Sequence, residues 1–145
     1  MTSVDDRLAI EDLLIRYCAA IDGGDVDGVL GCFTEDCRLE SNIIGPHPGQ
    51  GGVRMLAEQM ARLRAEGRTY RHFISNVRVE VNGDRGRVRC YLLDVLTMND
   101  TTELVSPGEY DCDVVRHEKG WLIETRRVRT DRQFELPGLR KADNK

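Results

Sequence analysis

The hydrophobic pattern of the chain changes once, near residue 69. Before this point apolar residues recur every three or four positions, which is the period of an amphipathic helix. After it they alternate with polar residues, which is the period of a half-buried β-strand. Helices that come first and strands that follow predict an α+β domain, in which a curved antiparallel sheet wraps around a layer of N-terminal helices.

The helical half divides into three segments. Residues 4–22 place apolar side chains three and four positions apart, and "GGD" at 23–25 ends this helix. Asp25 is placed to cap a short second helix that runs to Phe33. After a strand-like "CRLES" and a Pro/Gly-rich loop, a third helix is expected near residues 52–66.

The second half of the chain predicts four strands. "FISNVRVEV" alternates, "NGD" at 82–84 signals a hairpin, and "RVRCYLLDVLTM" forms a long return strand. The segments "GEYDCDVVRHE" and "GWLIETRRVRT" add two more strands. No repeat or linker interrupts this order, so residues 1–134 are expected to form a single domain, with a flexible tail at 135–145.

Charge and cysteine content exclude several classes of function. The net charge of -4 argues against a nucleic-acid partner, because a phosphate-binding face needs a concentrated basic excess. The five cysteines lack CxxC or Cys/His metal spacing, which indicates buried thiols in a reducing compartment and no metal. The chain shows no signal peptide and no membrane-spanning stretch, so a cytoplasmic protein without a membrane partner is expected.

One of the three histidines lies in an unusual place. His47 and His117 lie in turn-like surroundings, where solvent is the natural neighbour, whereas His72 lies in the apolar, strand-like "TYRHFISN". Strict alternation puts His72 on the face opposite Val77 and Val79. Only a β-bulge near 75 or 76 would bring them to one face.

The span from about residue 4 to 132 resembles the SnoaL-like branch of the nuclear transport factor 2-like superfamily. The matching pieces are "IRYCAAIDGGD", "VLGCFTEDC", "RHFISNVRVEVNGD" and "GEYDCDVVRHEKGWLIETRRV". The resemblance implies a cone-shaped α+β barrel with its pocket between the concave sheet and the helices. Members include scytalone dehydratase, bile acid 7α-dehydratase and hexachlorocyclohexane dehydrochlorinase, but the fold also hosts non-catalytic binders.

The resemblance also implies catalytic residues. In lyases of this superfamily an aspartate at the end of the first helix pairs with a histidine that opens the long strand, and Asp22 and His72 occupy those places. Such a pair makes the imidazole a general base that needs no cofactor. Tyr17 resembles the tyrosine of the bile acid enzyme and would donate a hydrogen bond to developing charge. "LDVLTMND" lacks the second histidine of scytalone dehydratase, so the chain is not expected to be that enzyme.

Further residues are candidates for substrate binding, and each has a structural alternative. Arg126 matches the arginine of the family pattern "W-x-I-x-x-R" and would contact a substrate oxyanion or pair with an acid. Asn76 would hold a ligand or satisfy backbone groups at a bulge. Phe33, Met60 and Tyr110 would line the core or the pocket. For Asp22 the alternative is a solvated helix cap, and for Tyr17 a core tyrosine.

Two functions from different classes follow. The first is a cofactor-independent lyase or isomerase acting on a small, largely apolar cyclic substrate, with a His72–Asp22 pair as the base. The second is a non-catalytic ligand-binding or assembly subunit, such as the small subunit of a ring-hydroxylating oxygenase. The resemblance implies a homodimer formed through the outer face of the sheet.

Overall fold

The computed structural model describes residues 1–133. Its elements in chain order are α1 (Val4–Gly23), α2 (Val26–Leu30), β1 (Phe33–Ser41), β2 (His47–Pro48), α3 (Gly49–Ala65), β3 (Thr69–Asn82), β4 (Arg85–Met98), β5 (Thr101–His117) and β6 (Gly120–Thr130). The predicted order, with helices in the first half and four long strands in the second, is confirmed. The tail predicted at 135–145 lies outside the described residues.

The six strands form one curved sheet in the order β2-β1-β6-β5-β4-β3. The ladders from β3 to β6 are antiparallel, as hairpin connections require. The β1–β6 ladder is parallel, so the sheet is mixed rather than wholly antiparallel as predicted. No hairpin joins these two strands, and their pairing is therefore not constrained to be antiparallel. The predicted α+β architecture is confirmed, but the sheet stays open at β2 and β3 and does not close into a barrel.

Local signals account for the boundaries of the first two helices. The Ser3 hydroxyl caps α1 by accepting a hydrogen bond from the Asp6 N–H, and Gly24 ends it in a left-handed conformation with φ of 71°. The predicted Asp25 cap is confirmed, since its carboxylate accepts the Gly28 N–H at 2.9 Å. Helix α2 ends at Leu30, earlier than predicted, and Phe33 instead begins β1.

The core lies between the helices and the concave face of the sheet. The predicted apolar stripes of α1 and α3 are buried against inward-facing residues of β4, β5 and β6. Each fully buried Leu or Ile of this kind stabilises the fold by roughly 1.5–3 kcal/mol. His47 is a correction, because it is 1% exposed rather than solvated, with its Nδ1 3.3 Å from the Gly45 carbonyl oxygen.

Two bulges determine which strand residues face this interior. The β3–β4 register shifts between Ser75 and Arg78, and Asn76 has a φ of 55°. On β6, Glu124 is an extra residue, because Asp113 pairs with Thr125 whereas Val114 pairs with Ile123. A bulge reverses the inside and outside alternation of a strand. These bulges turn His72 and Arg126, respectively, toward the concave side.

Candidate active site

A pocket opens between the concave face of the sheet and helices α1 and α3. It holds about 660 Å³ of space, part of which is open to solvent. Its lining is Tyr17, Ile21, Leu39, Ser41, Ile43, Ile44, Leu56, Met60, Tyr70, His72, Leu92, Asp94, Ser106, Tyr110, Arg126, Val128 and Thr130. Apolar walls with a few polar groups are typical of sites for small organic ligands.

Asp22 and His72 are in direct contact at this pocket. The Asp22 Oδ1 atom lies 2.5 Å from Nδ1 of His72, and Oδ2 accepts the main-chain N–H of His72 at 2.9 Å. Both side chains are nearly buried, at 9% and 10% exposure. A carboxylate on Nδ1 fixes the ring and keeps the proton on that nitrogen, which leaves Nε2 as a hydrogen-bond acceptor.

The geometry of α1 directs Tyr17 and Asp22 toward different neighbours, and His72 lies between these. Five residues of helix turn by about 140° around the axis, so the two side chains point in different directions. The helix continues regularly to Gly23, and the chain does not turn at Asp22. Tyr17 faces the pocket, whereas Asp22 faces β3. His72 connects them because it contacts Asp22 and lines the pocket.

Asp94 was not predicted, although it lies beside His72. It is the cross-strand neighbour of His72, and its Oδ2 is 3.7 Å from Nε2. Its other oxygen, Oδ1, is buried without a hydrogen-bond partner among the described residues. Burial raises the pKa of Asp94 to about 6; the charge of His72 lowers it in part, and that of Asp22 raises it further.

Arg126 is a buried cation that forms no ion pair with a carboxylate in the described part of the chain. It is 3% exposed, and its guanidinium carbon lies 3.8 Å from the ring centroid of Tyr17 and 4.0 Å from that of Tyr110. Its Nε and Nη1 atoms have no hydrogen-bond partner within residues 1–133. Burial raises the pKa of both tyrosines more than the Arg126 charge lowers it, so both hydroxyls stay protonated.

The other predicted contacts divide into two groups. Met60, Tyr110 and Arg126 line the pocket, as do Tyr17 and His72. Asp22 is not part of the lining and contacts it only through His72. Phe33 does not line it; its ring packs against that of Tyr17 at 5.8 Å and 78°. Asn76 does not reach it either, because it lies at the bulge beside a hollow on the outer face of the sheet.

Tyr70 is a second pocket residue that was not singled out from the sequence. It is 3% exposed, and its hydroxyl has no hydrogen-bond partner among the described residues. Burial, followed by the negative charge of Asp94, raises the pKa of this hydroxyl. The alternation "TYRH" places Tyr70 and His72 on the same face of β3, and this spacing was the available signal.

Several other features bear on the type of chemistry. Within residues 1–133 no group of three or more His, Cys, Asp or Glu side chains is arranged to hold a metal ion. All five cysteines are free and buried, and burial raises the pKa of Cys90 to about 11 and that of Cys18 to about 12. Such thiols are unreactive.

No helix within residues 1–133 is long and apolar enough to cross a membrane.

Known proteins show a match across most of the chain. A family model described as the SnoaL-like domain matches residues 2–127. The chain belongs to the SnoaL-like domain family. An uncharacterized protein of Mycobacterium tuberculosis strain H37Rv is 30% identical to this SnoaL-like protein over 132 residues, which is 90% of the present chain and 88% of the relative.

Solved structures agree with this assignment. A protein from Novosphingobium aromaticivorans that is provisionally named an aromatic ring hydroxylase is 29% identical, with a TM-score of 0.79 and coverage of 91% of this chain and 93% of that one. An NTF2-like protein with a cystatin-like fold from the same species is 24% identical, with a TM-score of 0.79 and coverage of 88% and 83%. The NTF2-like protein shares the fold of this chain, and the resemblance to the SnoaL-like family is confirmed by the family model.

Proposed function

We propose that this SnoaL-like protein is a cofactor-independent lyase or isomerase that removes a proton from carbon. His72 is the general base, and Asp22 holds its ring. The contact between Nδ1 and the Asp22 carboxylate carries this proposal, because it leaves Nε2 able to accept a proton in the pocket. A general base of this kind typically contributes about a hundredfold to ten-thousandfold in rate.

Tyr17 and Arg126 stabilise the charge that proton removal creates. A proton leaves carbon readily only when the electrons can move to a neighbouring carbonyl oxygen. The unpaired N–H groups of Arg126 and the neutral hydroxyl of Tyr17 are suitable donors to that oxygen. The two rings that enclose the guanidinium keep it in place, so it does not have to reorganise during the reaction.

The walls of the pocket favour a small cyclic substrate. Ile21, Leu56, Met60 and Leu92 provide apolar surface, and Tyr110 adds a ring face. Polar groups are concentrated near His72 and Arg126, which suits a mostly apolar ring with oxygen substituents. The free, buried cysteines further support work in a reducing compartment such as the cytoplasm.

Deuterium exchange tests the role of His72. The probe is 3-hydroxy-1-tetralone, a cyclic ketone with two acidic protons next to its carbonyl. In D2O the wild-type protein should catalyse exchange of one of these protons, the one on the face that His72 reaches, followed by NMR. His72→Ala should slow exchange by at least about a hundredfold. His117→Ala, at an exposed position on β5, should behave as wild type. Exchange by His72→Ala at the wild-type rate would remove the base from the proposal.

A second candidate function is a non-catalytic subunit of a ring-hydroxylating oxygenase. The provisional name of the Novosphingobium aromaticivorans relative favours it. In that case the pocket would hold a ligand without converting it, and the protein would co-purify with a larger iron-containing subunit. Stable co-purification, together with no exchange by the wild type, would support this function over the first.

A further inference from the structure

We infer that Asp94, with Tyr70 beside it, is the acid that protonates a departing hydroxyl group of the substrate. The reaction is then a dehydration rather than an isomerisation. This inference rests on the proposed function, because it takes His72 as the base that removes the carbon-bound proton. It adds a proton donor for the leaving hydroxyl group, a role that the proposed function assigns to no residue.

Two unpartnered buried groups mark the place of the leaving oxygen. Oδ1 of Asp94 and the hydroxyl of Tyr70 both lack hydrogen-bond partners within residues 1–133, and both side chains line the pocket. A buried polar group without a partner typically costs about 1–3 kcal/mol. A substrate hydroxyl satisfies both groups at once, because it can accept a hydrogen bond from one of them and donate to the other.

The distance between Asp94 and His72 suits two groups acting on adjacent atoms. Oδ2 of Asp94 lies 3.7 Å from Nε2 of His72, which is too long for a direct hydrogen bond. Because the two atoms are neighbours in the lining of one pocket, a ring bound against them would present the same face to both. The carbon-bound hydrogen and the hydroxyl group must therefore leave from one face, so the elimination is syn.

The surroundings of Asp94 favour its protonated form. The titratable and charged groups around it are Tyr17, Cys18 and Asp22 on α1, Tyr70 and His72 on β3, Tyr110 on β5 and Arg126 on β6. Burial is the largest influence on Asp94 and raises its pKa to about 6. A carboxyl group that titrates there has a proton to donate near neutral pH.

The chemical step balances without a further reactant. Nε2 of His72 takes the proton from the carbon next to the carbonyl, and an enolate forms. The electrons return to make a carbon–carbon double bond, and the bond to the hydroxyl oxygen breaks with its electron pair on that oxygen. The oxygen takes the Asp94 proton and leaves as water. His72 is then protonated and Asp94 ionised. Because Nε2 and Oδ2 are 3.7 Å apart, the released water carries the proton from His72 to the Asp94 carboxylate, which restores the starting state.

The same ketone separates this inference from the proposed function. Loss of water from 3-hydroxy-1-tetralone gives 1-naphthol, which is fluorescent, while exchange next to the carbonyl reports proton removal alone. Asp94→Asn should keep exchange within about tenfold of wild type but lose at least about a hundredfold in naphthol formation. Tyr70→Phe should lose about tenfold in naphthol formation only, the scale of one neutral hydrogen bond. His72→Ala should lose both, and if it keeps both the proposed function fails instead.

Three results would overturn the role of Asp94. Asp94→Asn could form naphthol at the wild-type rate, or it could lose exchange and elimination together, which would make Asp94 only a support for the base. In ketone labelled with deuterium on one face, loss of the label trans to the hydroxyl would contradict removal from one side.

A measurement without substrate keeps the inference testable if the ketone is not converted. Carbon-13 NMR of the Asp94 carboxyl group in the wild type should show titration near pH 6, about 2 units above an ordinary aspartate. A carboxyl group still ionised at about pH 4.5 would have no proton to give, and the inference would be wrong. Asp111, on the outer face, provides a reference carboxyl in the same spectrum.

Discussion

Charged side chains form ion pairs on the convex face of the sheet but not at Arg126 on the concave face. On the convex face, Arg87 donates two hydrogen bonds to Asp111, at 2.8 and 2.6 Å, and Arg127 donates one to Asp113 at 2.5 Å. On the concave face, Arg126 has no ion pair within the described residues, although it directly precedes Arg127 in the chain. Adjacent residues on one strand thus have opposite electrostatic environments.

We interpret the paired charges of the convex face as contributing to the fold, and the unpaired groups of the concave face as contacts for the ligand proposed above. Exposed ion pairs contribute about 0–1 kcal/mol each, and they are replaceable. A buried charge or polar group without a partner destabilises the fold, and contacts with a bound molecule would offset this cost. The concave face collects such groups at Arg126, Asp94 and Tyr70. Matched substitutions on the two faces test this interpretation.

The adjacent arginines give the largest expected difference. Arg126→Gln should lower kcat/KM for 3-hydroxy-1-tetralone by about a hundredfold to a thousandfold, as expected when a donor to an oxyanion is removed. Arg127→Gln changes the same residue type one position later and should stay within about twofold, because it loses only an exposed pair. Steady-state kinetics would measure both. Equal losses in the two variants would show that the faces do not differ in function.

Replacing Asp94 and replacing Asp111 by asparagine should change the free energy of unfolding in opposite directions at neutral pH. The pKa of Asp94 is raised from 3.8 to about 6, so ionising it destabilises the folded state as pH rises through this range. Asp94→Asn should therefore raise the free energy of unfolding by up to about 3 kcal/mol above pH 7, with little difference below pH 4.

Asp111 provides the opposite case. The hydrogen bond from Arg87 holds the pKa of Asp111 below its usual value, so its stabilisation is present above the unfolded-state pKa and lost as pH falls. Asp111→Asn should lower the free energy of unfolding by about 0.5–1 kcal/mol at neutral pH. Urea titrations across pH would compare the variants, and destabilisation of both at neutral pH would contradict the comparison.

The last comparison concerns the apolar part of the convex face. Phe73 and Tyr91 are 58% and 54% exposed there, and we propose that they contact a second copy of the chain in a homodimer. Phe73→Glu should weaken the dimer by about tenfold or more in light scattering, the scale of one interface side chain. Leu8 on α1 is equally exposed, at 59%, and Leu8→Glu should leave the affinity of the dimer unchanged. A wild-type protein that is monomeric at all concentrations would contradict the proposal.

Much of the fold could be predicted because its signals are local. The caps at Ser3 and Asp25, the turn at Gly24 and the change of period near residue 69 all act within a few residues. The parallel β1–β6 pairing depends on contacts between distant parts of the chain, which no local pattern specifies. The proximity of Asp22 and His72 was likewise expected only from the family resemblance.

Asp94 escaped prediction because of the bulge at Asn76. In an antiparallel hairpin without a bulge, the numbers of paired residues have a constant sum. Asn82 pairs with Arg85, so this sum is 167 and Val95 would lie opposite His72. The bulge lowers the sum by one to 166, so Asp94 takes that position. The lack of an ion-pair partner for Arg126 among residues 1–133 depends on the packing of the whole interior, so no local sequence pattern predicts it.

The two hydrogen bonds accepted by Asp22 have a structural consequence. One of them takes a main-chain donor of β3, which is an edge strand, so the carboxylate also fastens the end of the first helix to the rim of the sheet. Any opening of that rim releases the imidazole in the same movement. On the proposed role of His72 as the base, we expect local unfolding at this edge of the sheet and loss of activity to occur together.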